Sequence, residues 1–213
     1  MRFVWLHGFA SAPTSTKARY MQSRLEARGI TLEIPDLNAP AFRELTVTRM
    51  VGQLDELSGG ERLVLFGSSL GGFTAATYAA RRPAQVASAV LLAPAFDLAA
   101  RWQARMPEAE LRRWREQGVF AFDHYAYGRK EDLSIKFLED AASYEPFPLP
   151  AAETLVLQGT RDDVVDPALA REFSSRMRGR ARLVELDDGH ELTKDLDRLW
   201  RESESHLAPF LGG

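Results

Sequence analysis

A chain of 213 residues, 45% hydrophobic and 27% charged, has the size and composition of one globular domain with a substantial core. Its net charge of −3 gives no reason to expect nucleic acid or an anionic membrane as a partner. The absence of cysteine excludes disulfides, a thiolate nucleophile and cysteine-ligated metal sites. The sequence has neither an apolar stretch as long as a membrane span nor a signal sequence, so we expect a soluble, cytoplasmic protein.

Short apolar segments alternate with longer helical patterns along the chain. We predict strands over Phe3–Leu6, Thr31–Ile34, Arg62–Phe66, Ala87–Leu92, Thr154–Leu157 and Arg182–Leu186. We predict helices over Ser15–Arg28, Leu45–Leu57, Leu70–Arg82, Pro167–Met177 and Lys194–Leu211. This alternation is typical of an α/β fold, in which a mostly parallel sheet of about six strands carries helices on both faces.

The segment 93–150 interrupts the alternation and has no clear strand pattern. It contains two helical patterns, at Met106–Glu116 and at Asp132–Ala142. We therefore expect residues 1–213 to form a single domain in which 93–150 is inserted as a small helical cap. Such a cap would lie over the carboxyl ends of the strands, where open sheets bind their ligands.

The most informative motif is G-x-S-x-G at residues 67–71, placed between an apolar strand and a helix. It is the pattern of a nucleophile elbow, in which the serine occupies a strained turn with its hydroxyl exposed. Ser69 would lie at the start of the helix, where free N–H groups favour a developing negative charge. The alternative is a glycine-rich strand-to-helix turn without chemistry.

A serine nucleophile needs a base within hydrogen-bonding distance, and four histidines are candidates. His190 is the one that follows a strand late in the chain, so we predict it as the base. His7 ends the first strand and is expected to hold its loop. His124 lies in the insertion, and His206 lies within the last helix as an expected surface residue.

The base needs an acid to orient it, and Asp162 follows the predicted strand Thr154–Leu157 in the run G-T-R-D. The order serine, aspartate, histidine along the chain is one of the known hydrolase arrangements. Asp163 is the nearest rival, and Asp187 or Asp188 would lie beside the base. Any of these aspartates would alternatively cap a turn or a helix.

Acyl transfer also needs two donors for the oxyanion of the tetrahedral intermediate. One expected donor is the backbone N–H of Leu70, directly after the nucleophile. The other is expected in the loop that follows the first strand, where Gly8 allows close approach of the backbone. We predict the N–H of Phe9 as this second donor.

Three separated motifs resemble those of the α/β-hydrolase superfamily: L-H-G-F at residues 6–9, the elbow, and the loops of the aspartate and histidine. Residues 7–18, H-G-F-A-S-A-P-T-S-T-K-A, more narrowly resemble the start of the small bacterial YqiA-type esterases. By this resemblance Ser69, Asp162 and His190 form the triad, and Phe9 and Leu70 supply the oxyanion donors. Since the first strand begins at residue 3, we expect the first strands of the superfamily's usual sheet to be missing.

The resemblance implies a serine esterase or thioesterase that cleaves a small-molecule ester or thioester through an acyl-enzyme. No metal or organic cofactor is implied. Two alternatives use the same triad, namely an acyltransferase and a peptidase. A third is a catalytically silent hydrolase fold that serves as a binding module.

The insertion contains an arginine- and tryptophan-rich stretch over residues 101–115. One interpretation is an amphipathic cap helix with a solvated basic face. In the other, the apolar face closes over an acyl chain, while Arg112 and Arg113 attract an anionic leaving group such as a coenzyme A phosphate. The aromatic residues that follow are expected in the core of the cap; they are Phe120, Phe122, Tyr125 and Phe137.

Overall fold

The computed structural model describes residues 1–212; Gly213, which the predicted domain includes, lies outside them. The strands of this range are β1 Arg2–Leu6, β2 Leu32–Glu33, β3 Leu63–Ser68, β4 Val86–Leu92, β5 Val119–His124, β6 Arg129–Ser134, β7 Thr154–Gly159 and β8 Ala181–Leu186. The α-helices are α1 Thr16–Glu26, α2 Val47–Ser58, α3 Leu70–Arg81, α4 Leu98–Arg105, α5 Glu108–Gln117, α6 Lys136–Ala141, α7 Pro167–Arg176 and α8 Leu196–Leu207. Within residues 1–212 no helix combines the length and apolar composition needed to cross a bilayer.

Six of the strands form a parallel sheet in the order β2-β1-β3-β4-β7-β8. All residues of β3, β4 and β7 are buried, because helices cover both faces at the centre of the sheet. One apolar cluster joins the sheet to α1 and α8, and a second joins it to α2, α3 and α7. The predicted α/β fold with six strands is confirmed.

The insertion between β4 and β7 differs from its prediction. The predicted helix Met106–Glu116 is present as α5, but the expectation that no strand occurs here is wrong. Strands β5 and β6 form an antiparallel hairpin, so Asp132–Ala142 is helical only in its second part. Of β6, only Leu133 is buried, and its carbonyl accepts a hydrogen bond from Trp114 Nε1 at 2.9 Å. This contact holds a strongly charged segment extended against α5.

Aromatic side chains connect the insertion to the loop that follows β1. The ring of Phe9 lies edge-on to Trp102 of α4, with 4.9 Å between ring centroids. Trp102 in turn packs against Phe137 of α6 at 5.0 Å. At the turn of the hairpin, the Ala126 N–H donates to the Ala10 carbonyl at 3.3 Å. The insertion therefore lies beside the carboxyl end of β1.

Candidate active site

Close backbone packing forms the elbow between β3 and α3. Ser69 has a φ of 53° and a ψ of −112°, an unfavourable conformation for a residue with a side chain. A Cβ at Gly67 would lie 2.3 Å from the Gly71 carbonyl oxygen, and one at Gly71 would lie 2.1 Å from that of Leu6. Both positions therefore require glycine, and the turn holds Ser69 at the end of the sheet.

The three residues predicted as nucleophile, base and acid lie in one chain of hydrogen bonds. His190 Nε2 is 3.1 Å from Ser69 Oγ, and His190 Nδ1 is 2.8 Å from Asp162 Oδ2. The imidazole is thus located between the hydroxyl and the carboxylate. This arrangement suits transfer of the serine proton to a base whose cation the carboxylate stabilises.

Asp162 is buried, yet it is held as a carboxylate. Its Oδ1 accepts from the N–H groups of Val164 and Val165 at 2.9 and 2.8 Å, and its Oδ2 accepts from Gln158 Nε2 at 2.9 Å. Burial by itself raises the pKa of Asp162, but the hydrogen bonds from His190, the Val165 N–H and Gln158 outweigh it. The pKa of Asp162 therefore lies below its ordinary value.

The loops that carry Asp162 and His190 touch through their backbones. A Cβ at Gly159, the last residue of β7, would lie 2.4 Å from the Gly189 carbonyl oxygen. The Arg161 N–H donates to the Asp188 carbonyl at 3.0 Å. Glycine at position 159 therefore permits the two loops to approach closely enough for the imidazole to reach Asp162.

The rival aspartates have other partners. Asp187 is exposed and pairs with Lys194 at 2.8 Å and with Arg161 at 2.9 Å. Asp188 accepts from the N–H groups of Gly189 and Lys194 at 2.7 and 2.9 Å, so it shapes the turn. Asp163 is exposed. Among the hydrogen bonds of residues 1–212, none joins these three carboxylates to the candidate base.

His7 holds the loop after β1. Its Nε2 accepts from the Leu37 N–H at 3.0 Å, and its Nδ1 lies 2.9 Å from the Gly8 carbonyl. Burial lowers the pKa of His7 below its usual value, which favours the neutral imidazole that these contacts require. The structural role predicted for His7 is confirmed.

His124 and His206 lie away from the elbow. His124 is buried between the rings of Phe42 and Tyr127, and within residues 1–212 neither of its ring nitrogens has a partner. His206 is half-buried, with Nε2 2.8 Å from Ser88 Oγ, so the prediction of a surface residue is wrong. The reason is that α8 packs against the sheet and brings the His206 ring to Ser88 of β4.

In the described part of the chain, no three His, Asp or Glu side chains are arranged as metal ligands.

The residues of the two predicted oxyanion donors, Phe9 and Leu70, lie beside Ser69. A Cβ at Gly8 would lie 3.5 Å from Ser69 Cβ, so the loop carrying Phe9 passes directly beside the elbow. Leu70 is the first residue of α3 and lines the same cavity as Phe9 and Ser69. In the described range, no main-chain carbonyl accepts a hydrogen bond from the N–H of Phe9.

Two cavities meet above the elbow. The inner cavity, of about 560 Å³, is lined by Ser69 and His190 and reaches Phe137 and Tyr125 of the insertion. The outer cavity, of about 610 Å³, is lined by the hairpin residues Phe120 and Phe122. The residues shared by both are Phe9, Arg101, Trp102 and Val164. Tyr125, predicted in the cap core, is instead exposed on the hairpin turn.

Lys17 of α1 is a buried cation at the inner cavity to which sequence reasoning assigned no role. Its Nζ donates to the Glu191 carbonyl, directly after the candidate base. Burial lowers the pKa of Lys17, although Glu191, Asp188 and Asp162 oppose this effect. The sequence feature that could have indicated a role for Lys17 was its position within the motif at residues 7–18.

The two arginines predicted to contact substrate lie on the exposed face of α5. The guanidinium of Arg113 lies 5.0 Å from the centroid of the Phe120 ring, and Arg113 lines the outer cavity. Arg112 is exposed and lines neither cavity. Arg101 of α4, in contrast, lines both cavities, including the one that contains Ser69.

Solved structures with similar folds cover nearly the whole chain. A protein of Agrobacterium vitis S4 described as a hydrolase is 23% identical, with 96% of this chain and 87% of that chain covered and a TM-score of 0.84. Est1E of Butyrivibrio proteoclasticus, solved with ferulic acid bound, is 14% identical, with coverage of 97% and 88% and a TM-score of 0.82. A monoacylglycerol lipase of Paleococcus ferrophilus is 19% identical, with coverage of 97% and 93% and a TM-score of 0.77. At these identities the likenesses establish the α/β-hydrolase fold.

Sequence comparison gives the family. No curated protein matches the chain. The sequence model of the uncharacterised protein family UPF0227 matches residues 2–204, which is nearly the whole length. The predicted resemblance to the YqiA-type group is thereby confirmed, and this chain belongs to the uncharacterised protein family UPF0227.

Proposed function

We propose that this protein is a serine hydrolase that cleaves carboxylic esters or thioesters through an acyl-enzyme intermediate. The observation that carries the proposal is the chain of hydrogen bonds from Ser69 Oγ through the His190 ring to Asp162, at 3.1 and 2.8 Å. A hydroxyl, an imidazole and a buried carboxylate in this order are the groups that acyl transfer to serine requires. The monoacylglycerol lipase among the fold neighbours is named for an ester substrate, which is consistent with the proposal.

In the first half of the reaction, Ser69 Oγ forms a bond to the acyl carbon while His190 Nε2 takes the hydroxyl proton. The carbonyl π electrons move to oxygen, and the N–H groups of Phe9 and Leu70 donate to the resulting oxyanion. Each such donor stabilises the transition state by about 3–4 kcal/mol. When the carbonyl re-forms, the bond to the alcohol or thiol breaks, and the leaving group takes the proton from His190.

In the second half, water replaces the leaving group. His190 Nε2 takes a proton from water as the water oxygen attacks the acyl carbon of the ester on Ser69. The second tetrahedral intermediate uses the same two N–H donors. Its collapse releases the carboxylic acid, and the proton held by His190 returns to Ser69 Oγ. Throughout, Asp162 holds the imidazole in one orientation and stabilises its cation.

Replacement of the nucleophile tests the proposal, and Ser68→Ala serves as the matched control. We expect Ser69→Ala to lower the turnover of p-nitrophenyl butyrate by about a millionfold and to abolish labelling by a fluorophosphonate probe. The circular dichroism spectrum and Tm should stay close to those of the wild type. Labelling that persists in Ser69→Ala would show that another group is the nucleophile.

The same assay addresses the silent binding module. That alternative is correct if the wild-type protein neither turns over a panel of esters and thioesters of graded chain length nor reacts with the probe. An acyltransferase or a peptidase would instead react with the probe and transfer the acyl group to an added alcohol, or release it from an amide. The panel, extended by an alcohol acceptor and an amide substrate, therefore separates the alternatives by acceptor and leaving group.

A further inference from the structure

Two arginines of α4 meet where the inner cavity joins the outer one. Arg101 Nη2 and Arg105 Nη1 both donate to the carbonyl oxygen of Val164. Val164 lines both cavities and follows Asp162 by two residues. Two guanidinium groups therefore converge near the candidate centre, where the lining residues shared by the two cavities lie.

In the described part of the chain, neither guanidinium forms a salt bridge with a carboxylate. Within residues 1–212 their hydrogen bonds run only to the main-chain carbonyls of Phe96 and Val164. Several other arginines pair with an acidic side chain; examples are Arg2, Arg82, Arg171 and Arg182. Arg101 and Arg105 have no such partner within the described range.

The electrostatics of the pair favour an anionic ligand. Arg101 is half-buried, and this burial together with the positive charge of Arg105 lowers the pKa of Arg101. Asp162, Asp97 and Asp166 attract Arg101, but none of them forms a salt bridge with it in the described part of the chain. An anion at the junction would relieve the repulsion between the two cations.

We propose that Arg101 and Arg105 form an anion subsite for a carboxylate or phosphate group of the substrate. This inference rests on the proposed hydrolase function, which it deepens by naming the substrate class. A guanidinium has five N–H donors, and each arginine uses only one or two of them on main-chain carbonyls. The remaining donors suit planar or tetrahedral oxygen groups, which arginine binds in bidentate geometry.

The cavities define how such a substrate lies. Its scissile carbonyl meets Ser69 in the inner cavity, and its anionic group reaches the junction. The outer cavity offers aromatic surface beyond that point, and its lining also includes charged residues of both signs, Arg113, Lys130, Glu110 and Asp123. An anionic group on the acyl side or on the leaving side would fit the same junction, and these two sources are distinguished by the substrates of the test.

The test compares three substrates in wild type, in Arg101→Gln/Arg105→Gln and in the control Arg115→Gln. The substrates are neutral p-nitrophenyl butyrate, mono-p-nitrophenyl glutarate with a carboxylate on the acyl side, and butyryl-coenzyme A with phosphates on the leaving side. Arg115 is an exposed arginine of α5 that lines neither cavity. The quantity compared is the ratio of kcat/KM for each charged substrate to that for the neutral ester.

We expect this ratio to fall by about tenfold to a hundredfold in the double variant for at least one charged substrate, since hydrogen bonds to charged groups carry that much free energy. A fall for the glutarate ester assigns the anion to the acyl side, and a fall for the thioester assigns it to the leaving group. Unchanged ratios for both substrates would overturn the proposal, as would an equal fall in Arg115→Gln.

A binding measurement separates this inference from the proposed function. In the Ser69→Ala background, calorimetric titration with glutarate and with free coenzyme A reports on the subsite without turnover. We expect at least one of the two probes to bind, with a Kd raised by about tenfold when Arg101→Gln and Arg105→Gln are added. If wild type turns over no ester but this binding is seen, the hydrolase proposal fails and the anion subsite stands. Absence of binding by both probes overturns the subsite.

Discussion

The elbow region and the inserted segment are held together in different ways. At the elbow, backbone meets backbone, so that a single added carbon at Gly67 or Gly71 would lie within 2.3 Å of a carbonyl oxygen. In the insertion, side chains meet side chains, with Trp102 and Phe137 separated by 5.0 Å between ring centroids. Close backbone contacts hold the atoms of the elbow in place, whereas contacts between side chains can be repacked. We therefore expect changes at the sheet edge to affect every substrate and changes in the insertion to alter selectivity.

After replacement of the nucleophile itself, the largest effect is expected from Asp162→Asn, which preserves the shape of the side chain. An amide cannot stabilise the imidazolium and favours the wrong tautomer of His190, so kcat should fall by about ten-thousandfold for all esters alike. Asp163→Asn, at an exposed neighbour, is the control. The measurement is kcat on a neutral and on an anionic ester, and a loss confined to one of them would break the contrast between the two regions.

The next largest effect concerns stability, and it compares two glycines. Gly71→Ala places a Cβ 2.1 Å from the Leu6 carbonyl oxygen, so we expect a loss of about 3 kcal/mol or more in the free energy of unfolding. Gly52→Ala adds its Cβ in open space on α2, where we expect a gain of about 0.5–1 kcal/mol. Urea unfolding measures both. Equal effects would mean that the elbow can relax around the added carbon.

A smaller effect is expected from Lys17→Met, which keeps the length of the side chain and removes its charge. Without the hydrogen bond to the Glu191 carbonyl, the loop of His190 is held less firmly, and kcat should fall by about fivefold to tenfold. KM should stay near its wild-type value, because Lys17 acts through the loop. Arg19→Met, an exposed change on the same helix, is the control, and an unchanged kcat in Lys17→Met would contradict the positioning role.

The smallest effect concerns pH and the insertion. Burial lowers the pKa of His124, so near its ordinary pKa of about 6.5 the unfolded chain binds the proton more readily than the folded chain. Stability should therefore fall as pH drops from about 7.5 to about 5.5. His124→Phe removes two unpartnered ring nitrogens, and we expect a gain of about 1 kcal/mol at pH 7.5 and a shallower fall toward acid. The measurement is the free energy of unfolding in urea as a function of pH. If it falls as steeply toward acid in His124→Phe as in the wild type, His124 is excluded as the source of the pH dependence.

The sheet and the candidate site were largely predictable because their signals are local. The elbow needs glycines at fixed spacing around Ser69, and buried parallel strands such as β3 and β4 appear in the sequence as continuous apolar runs. The aspartate and histidine each follow a strand end, and parallel strands bring such ends to one edge. Their hydrogen bonds could be anticipated from topology before any distance was known.

The insertion was less predictable because its structure depends on tertiary contacts. The alternation of Phe120, Phe122 and His124, with Gly128 at a φ of +64°, was a hairpin signal. The partner strand β6 was hard to predict because it begins with four successive charged residues, which suggest a solvated helix face or a loop. The contact of Lys17 with the Glu191 carbonyl and the contact of Arg101 and Arg105 with the Val164 carbonyl join residues far apart in the chain, so sequence spacing did not reveal them.

The contact between Gly159 and the Gly189 carbonyl oxygen has a consequence for temperature and for timing. The carboxylate and the imidazole are carried by backbones that touch, so we expect them to move together with β7 and β8. The hydrogen bond between His190 and Asp162 is present before any acyl group arrives, so none of the substrate's binding free energy is spent on forming it. On heating, hydrolysis should therefore persist until these two strands separate, and the midpoint of inactivation should coincide with the midpoint of sheet unfolding.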